Sequence, residues 1–110
     1  MTEKWLGDDE SVLMDAKSFV WLKTSFILNG TWALLYLTNR RLYVKDRLFR
    51  YKVLEFPFHK IREIESDEKY LTVVGDYKGT ECRIKIKQKN IDEMWESMIK
   101  NRMMGKVDRS

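Results

Sequence analysis

Gly30-Thr31-Trp32-Ala33-Leu34-Leu35-Tyr36-Leu37-Thr38-Asn39-Arg40-Arg41-Leu42-Tyr43-Val44 is an apolar run, broken by a short polar turn, that resumes at once. Aromatic and β-branched residues favour strands, and Thr38-Asn39-Arg40 supplies turn chemistry between two of them. The stretch predicts an antiparallel pair, Trp32 to Leu37 and Arg41 to Lys45. In the second strand Leu42 and Val44 share one face, and Arg41, Tyr43 and Lys45 share the other.

Just upstream, Ser18 to Leu37 has about the length of a membrane span and is mostly apolar. Lys23 stands near its middle, where a lysine costs about 2.5–3.5 kcal/mol in a membrane helix. Asn29-Gly30 is a hairpin-turn signal. The window therefore reads as two strands, the first running from Ser11 to Leu22.

Downstream, residues 48–56 show no cleanly apolar face, which predicts a bend or bulge near Tyr51 to Val53. Pro57 ends ladder pairing. Ile61 to Glu65 is a short irregular strand and Tyr70 to Val74 a clear one. Gly75 to Gly79 form a hairpin loop. From Thr80 to Lys87 the alternation is the cleanest in the chain: Cys82, Ile84 and Ile86 point one way, and Glu81, Arg83, Lys85 and Lys87 the other. The period then changes. Asn90 reads as an N-cap with Glu93 completing a capping box, and Ile91, Met94, Trp95, Met98, Ile99 and Arg102 lie on one helical face. Gly105 reads as its stop.

A length of 110 residues, with 44% hydrophobic content, fits one domain with a single core. We divide it into an acidic N-terminal segment (1–10), the domain proper (11–104) and a frayed tail (105–110). The N-terminus has no apolar segment of the secretory kind. A single cysteine forms no internal disulfide and points to a reducing compartment. The net charge of +4 is unevenly placed: residues 40–62 carry +6 and residues 83–110 carry +4, against −3 in 1–17 and −4 in 63–82. Two basic blocks can meet an anionic partner or simply be solvated.

Gly30 followed by Leu35-Tyr36-Leu37-Thr38-Asn39-Arg40-Arg41-Leu42 resembles the Gly…(apolar)-Tyr-(apolar)-Thr-Asn-x-Arg-(apolar) signature of GRAM domains and bacterial pleckstrin-homology (PH)-like domains. Phe56-Pro57-Phe58-His59-Lys60-Ile61-Arg62-Glu63-Ile64-Glu65 is similar to their (apolar)-Pro-(apolar)-x-x-Ile-x-x-Ile-Glu segment. The resemblance runs from about residue 11 to 102. It implies an α+β, mainly β fold: a PH-like barrel of two near-orthogonal antiparallel sheets, about seven strands in all, capped by one C-terminal helix. It also implies a non-catalytic module that docks acidic lipids or protein segments.

Two surfaces are candidates. Lys45, Arg47, Arg50 and Lys52 bracket one loop, and converging cations are what a phosphate or lipid headgroup needs. Trp21, Phe26, Ile27, Leu28 and Trp32 surround the first hairpin, with Phe26, Ile27, Leu28 and Trp32 the interaction-surface candidates, and an exposed apolar edge there marks a membrane or oligomer surface. Arg41 reads as turn support, held by a carboxylate. Arg83, Lys85 and Lys87 form a strand-face ladder open to cross-strand pairing. His59 has no second histidine or cysteine neighbour for a metal site, and Cys82 reads as a core thiol. No phosphate-binding glycine loop is present. The expectation is a binding module, not an enzyme, with no cofactor and no metal. It acts by protein interaction or self-assembly, or alternatively by peripheral binding to acidic lipids through the basic loop. It works in the cytoplasm, including the inner face of the membrane, and nucleic acid is not an expected partner.

Overall fold

The computed structural model describes residues 5–24, 28–48, 51–91 and 93–108, with side chains as far as Asn101. The strands are β1 (Val12–Lys23), β2 (Leu28–Thr38), β3 (Arg41–Asp46), β4 (Lys52–Pro57), β5 (Ile61–Ser66), β6 (Tyr70–Tyr77) and β7 (Thr80–Lys87). Turns of 3-10 helix at Phe58–Lys60 and Gln88–Asn90 lead into β5 and towards the C-terminal helix α1 (Met94–Asp108).

Every pairing is antiparallel, in the order β4-β3-β2-β1-β7-β6-β5. The strands form one hydrogen-bonded sheet where the resemblance implies two. The reason is the length of β1. Its last residues, Val20 to Lys23, pair with β2 on one edge and with β7 on the other, so the ladder is never interrupted. The sheet is curled. Leu35, Leu37, Leu42 and Val44 share one buried cluster with Leu71, Val73, Ile84 and Ile86, and β4 lies against β6 although the sheet order sets them far apart.

α1 closes this half-barrel against the Phe58–Lys60 turn and β5. Trp95 and Ile99 are fully buried, and Met98 packs at the edge of the core. Met94, expected on the same face, is 55% exposed. Asn90 does not cap the helix. It ends a 3-10 turn, and its side-chain amide donates to Ser18 Oγ at 3.2 Å. Ser18 is fully buried on β1, and an acceptor buried there without a donor is costly. The helix also continues past Gly105 to Asp108.

The bulge expected in the fourth strand is present. Val44 pairs with Leu54 and Lys45 with Lys52, which leaves Val53 as the extra residue. The Asn29-Gly30 turn is not: both residues lie inside β2, opposite Leu22 and Trp21, and the chain reverses earlier. Gly30 serves packing instead. A Cβ there would stand 2.7 Å from the Phe19 ring and 2.8 Å from the Trp21 ring, so its bare backbone is what these two rings lie on. A second close approach occurs at Gly75, where a Cβ would stand 2.8 Å from the Lys60 carbonyl oxygen.

Candidate functional site

Thr38-Asn39-Arg40-Arg41, the turn that joins β2 to β3, fastens the N-terminal segment to the sheet. Thr38 Oγ1 accepts from the Arg40 and Arg41 amides, both at 3.0 Å, and donates to Glu10 Oε2 at 2.7 Å. Asn39 Oδ1 accepts from the Ser11 amide at 2.9 Å, and Asn39 Nδ2 donates to the Asp9 carbonyl at 3.1 Å. Arg41 is the centre of the arrangement. Its Nε and Nη2 donate to the two Glu10 oxygens at 2.8 and 2.9 Å, Nη1 donates to Glu55, and Nη2 also reaches the Trp5 carbonyl. Its guanidinium lies 5.2 Å from both the Trp5 and Tyr43 ring centroids. Trp5 stacks on Tyr43 at 4.0 Å and meets Tyr36 at 5.2 Å. An open cleft of about 490 Å³ borders this clasp, lined by Trp5, Arg40, Arg41, Glu55, Pro57 and His59 among others. Arg41 is thus held by carboxylates, as expected, but its side-chain bonds run to Glu10, Glu55 and Trp5 and not to the turn, whose amides are satisfied by Thr38.

Burial alone would raise the Glu10 carboxyl. The Arg41 hydrogen bonds, the Gly7 amide, the Thr38 hydroxyl and the Arg41 charge outweigh it, and hold the pKa at about 2 against an ordinary 4.5. The Glu55 carboxyl is also held low: burial raises it, but hydrogen bonds from Lys52 and Arg41 prevail. A carboxylate whose folded pKa is depressed contributes stability that is complete above its unfolded pKa and lost as pH falls through the folded one. The clasp should therefore be intact above pH 4.5 and open progressively towards pH 2. Protection of the Gly7 amide from hydrogen exchange reads this directly; unchanged protection at pH 2.5, well into that window, would contradict it.

Alternation puts Phe19, Trp21 and Lys23 of β1, Gly30, Trp32, Leu34 and Tyr36 of β2, and Tyr43 and Lys45 of β3 on the outer face of the sheet. Phe19 meets Trp21 and Trp32 edge to face, at 5.1 and 5.3 Å. Of the first-hairpin candidates, Leu28 is 70% and Trp32 55% exposed; Phe26 and Ile27 lie outside the described residues. Trp21, named with them around the first hairpin, is 41% exposed.

Among the described residues, the basic candidates differ in setting. Lys45 and Lys52 are cross-strand partners, but Lys45 is buried with its Nζ 5.9 Å from the Tyr36 ring. Lys52 Nζ donates to Glu55 Oε2 at 3.1 Å. Arg47 is exposed, and Arg50 lies outside the described residues. The β7 ladder is engaged in the way the cross-strand alternative supposed for Arg83, which pairs with Glu65 at 3.4 Å, while Lys85 sits 4.9 Å from the Tyr70 ring. Cys82 is buried, and burial, followed by the Asp76 and Glu81 charges, pushes its thiol up.

The topology instead gathers three hairpin ends. The Arg47 amide donates to the Trp32 carbonyl at 3.0 Å, which sets the β3–β4 turn beside β2. Lys23 pairs with Arg83, which sets the end of β1 beside β7. Lys52 and Lys78 both approach the Tyr77 ring, at 6.0 and 5.4 Å, which links the start of β4 to the β6–β7 turn. Lys78 and Gly79 in that turn have positive φ, 54° and 77°. This end of the half-barrel carries exposed Leu28, Trp32, Leu48 and Tyr51, with exposed Lys23, Arg47 and Lys78 around them. Among the described residues, no helix is long and apolar enough to cross a membrane.

No family model matches the chain, and no curated protein matches it. Among solved structures it aligns with one of SsgB, a protein whose mutations correlate with longitudinal cell division during sporulation of Streptomyces coelicolor. The alignment covers 96% of this chain and 94% of that one, at 8% identity and a TM-score of 0.43. At that score the likeness carries no argument about function.

Proposed function

We propose that this chain is a non-catalytic, PH-like binding module that docks peripherally on an anionic membrane surface. In this reading the halves of the sheet on either side of β1 correspond to the two near-orthogonal sheets of the PH-like barrel. The observation that carries the docking role is the hairpin end, where Leu28, Trp32, Leu48 and Tyr51 are exposed amid Lys23, Arg47 and Lys78. Apolar and aromatic side chains enter the headgroup boundary, and the surrounding cations gain about 1 kcal/mol each near an anionic leaflet. The binding surface is thus not the Lys45–Lys52 loop alone but that loop's tip joined to the first hairpin.

Flotation with vesicles of roughly one-third anionic lipid tests the proposal. Binding is expected to be lost on neutral vesicles, and to weaken as salt rises from about 0.1 to 1 M and the Debye length falls from about 10 to 3 Å. Trp32→Ala removes a ring whose apolar burial exceeds about 1.4 kcal/mol and should weaken binding about tenfold. Equal recovery on neutral vesicles, or no recovery on either, overturns it.

Self-association through the same hairpin is the second reading, and one observation favours it. β3 pairs with β2 only from Ala33 onward, and the Trp32 carbonyl is taken by the Arg47 amide, so Leu28 to Thr31 form a strand segment whose described backbone ladder lies on the β1 side. Such an edge can accept another strand. Light scattering separates the two: dimers that disappear with Trp32→Ala, in a protein that ignores vesicles, select this reading.

A further inference from the structure

We infer that the Trp5–Glu10 segment is a removable cover over the far half of the docking face, and that this segment and an anionic membrane compete for it. The inference rests on the membrane reading above and names how that site is regulated.

Trp32, Leu34 and Tyr36 stand at alternate positions of β2 and so form one row on the outer face, about 7 Å apart in succession. Phe19 and Trp21 flank the row on β1, and Tyr43, the cross-strand partner of Tyr36, extends it on β3. This is one apolar stripe with two fates. At the hairpin end Trp32 and Trp21 are open, at 55% and 41% exposure. At the other end Tyr43 is only 6% exposed, and Trp5 lies stacked upon it and against Tyr36. A sheet in water needs its outer face wet or covered; here the N-terminal segment covers the Tyr36–Tyr43 end.

The charges of the cover matter. Residues 5–10 carry Asp8, Asp9 and Glu10 and no cation, while the surface beneath and beside them holds Arg40, Arg41 and Lys45. An anionic leaflet repels the three carboxylates and attracts the three cations. It thus opposes the cover and favours what the cover hides. The fastening is local: Arg41 to Glu10 and to the Trp5 carbonyl, Thr38 to Glu10, and Asn39 to Asp9 and Ser11. A segment fastened to one turn and one pair of rings can open locally, below the cost of global unfolding. Because coupling is reciprocal, release of the cover strengthens docking by the same factor by which docking favours release.

The experiment compares the full chain with Trp5→Ala, which removes the covering ring without changing charge. Asp8→Asn, which deletes one exposed carboxylate, is the control for charge alone. Trp5→Ala is expected to bind anionic vesicles several-fold more tightly than the unmodified chain, and more tightly than Asp8→Asn. In the unmodified chain, the same vesicles should accelerate hydrogen exchange at the Gly7 and Ser11 amides. If Trp5→Ala no longer melts cooperatively, the exchange measurement on the unmodified chain decides. Vesicle binding that Trp5→Ala leaves unchanged or weakens, with Gly7 and Ser11 as protected as in solution, overturns the cover and leaves the membrane reading standing. No vesicle binding by any variant overturns both.

Discussion

Trp95→Ala is expected to destabilise the domain by about 3–5 kcal/mol, a fall of roughly 10–25 °C in melting temperature. Trp95 is the largest fully buried side chain, and it is the anchor by which α1 closes the curled sheet. Truncation opens a cavity in a cluster that includes Phe56, Phe58, Ile61, Leu71 and Ile99, whose members come from several elements and cannot all collapse inward. Trp95→Phe should cost less than half as much. The indole Nε1 is buried without a hydrogen-bond partner among the described residues, and removing an unsatisfied donor returns about 1–3 kcal/mol against the lost volume. Urea unfolding of the two variants tests this; equal losses would show that ring volume alone governs the site.

Arg41→Ala is the second large effect, expected at about 2–4 kcal/mol. Removing one partner of a buried ion pair costs about 3–5 kcal/mol when the other charge must stay buried. The side chain of Glu10 is 3% exposed, and local opening of the Trp5–Glu10 segment, which brings its carboxylate to water, caps the penalty. Glu55 keeps Lys52. Arg41→Lys should recover little, since an ammonium cannot span both Glu10 oxygens, Glu55 and the Trp5 carbonyl in one plane. Melting temperature and exchange at the Gly7 amide should move together. A loss below about 0.5 kcal/mol would mean that the clasp is no more than a surface pair.

The parts of the fold legible in the sequence were those fixed by local period. The alternation from Thr80 to Lys87 gave β7 with its own bounds. Thr38-Asn39-Arg40 gave the β2–β3 turn, because the Thr38 hydroxyl satisfies that turn's own backbone amides. Asn29-Gly30 misled for a physical reason: glycine serves tight turns and close ring packing alike, and only the partner strand, bringing Phe19 and Trp21 over Gly30, decides which. Asn90 misled similarly, since its amide is drawn to the buried Ser18 from a residue far off in sequence.

The candidate surfaces were legible as residue types and not as places. Leu28 and Trp32 were selected as an apolar edge and are exposed. Lys45 was selected as a cation, but its strand face points it at Tyr36. The acidic N-terminal segment gave one usable signal, a tryptophan among carboxylates, whose meaning depended on Arg41 more than thirty residues away.

The sequence by itself determined that this is a mainly β domain with a C-terminal helix, that a tight polar turn joins β2 to β3, and that cations and apolar residues stand in neighbouring stretches of the chain. Periodicity and turn chemistry act within a few residues, so these can be read along the chain. Only the tertiary structure decided that one long strand joins all the others into a single sheet, that three hairpin ends lie at one end of it, and that Trp5 stacks on Tyr43 and Tyr36 at the far end of an outer apolar stripe. Each of those depends on which strand lies beside which, and on the burial that follows from it, and no local pattern encodes a neighbour.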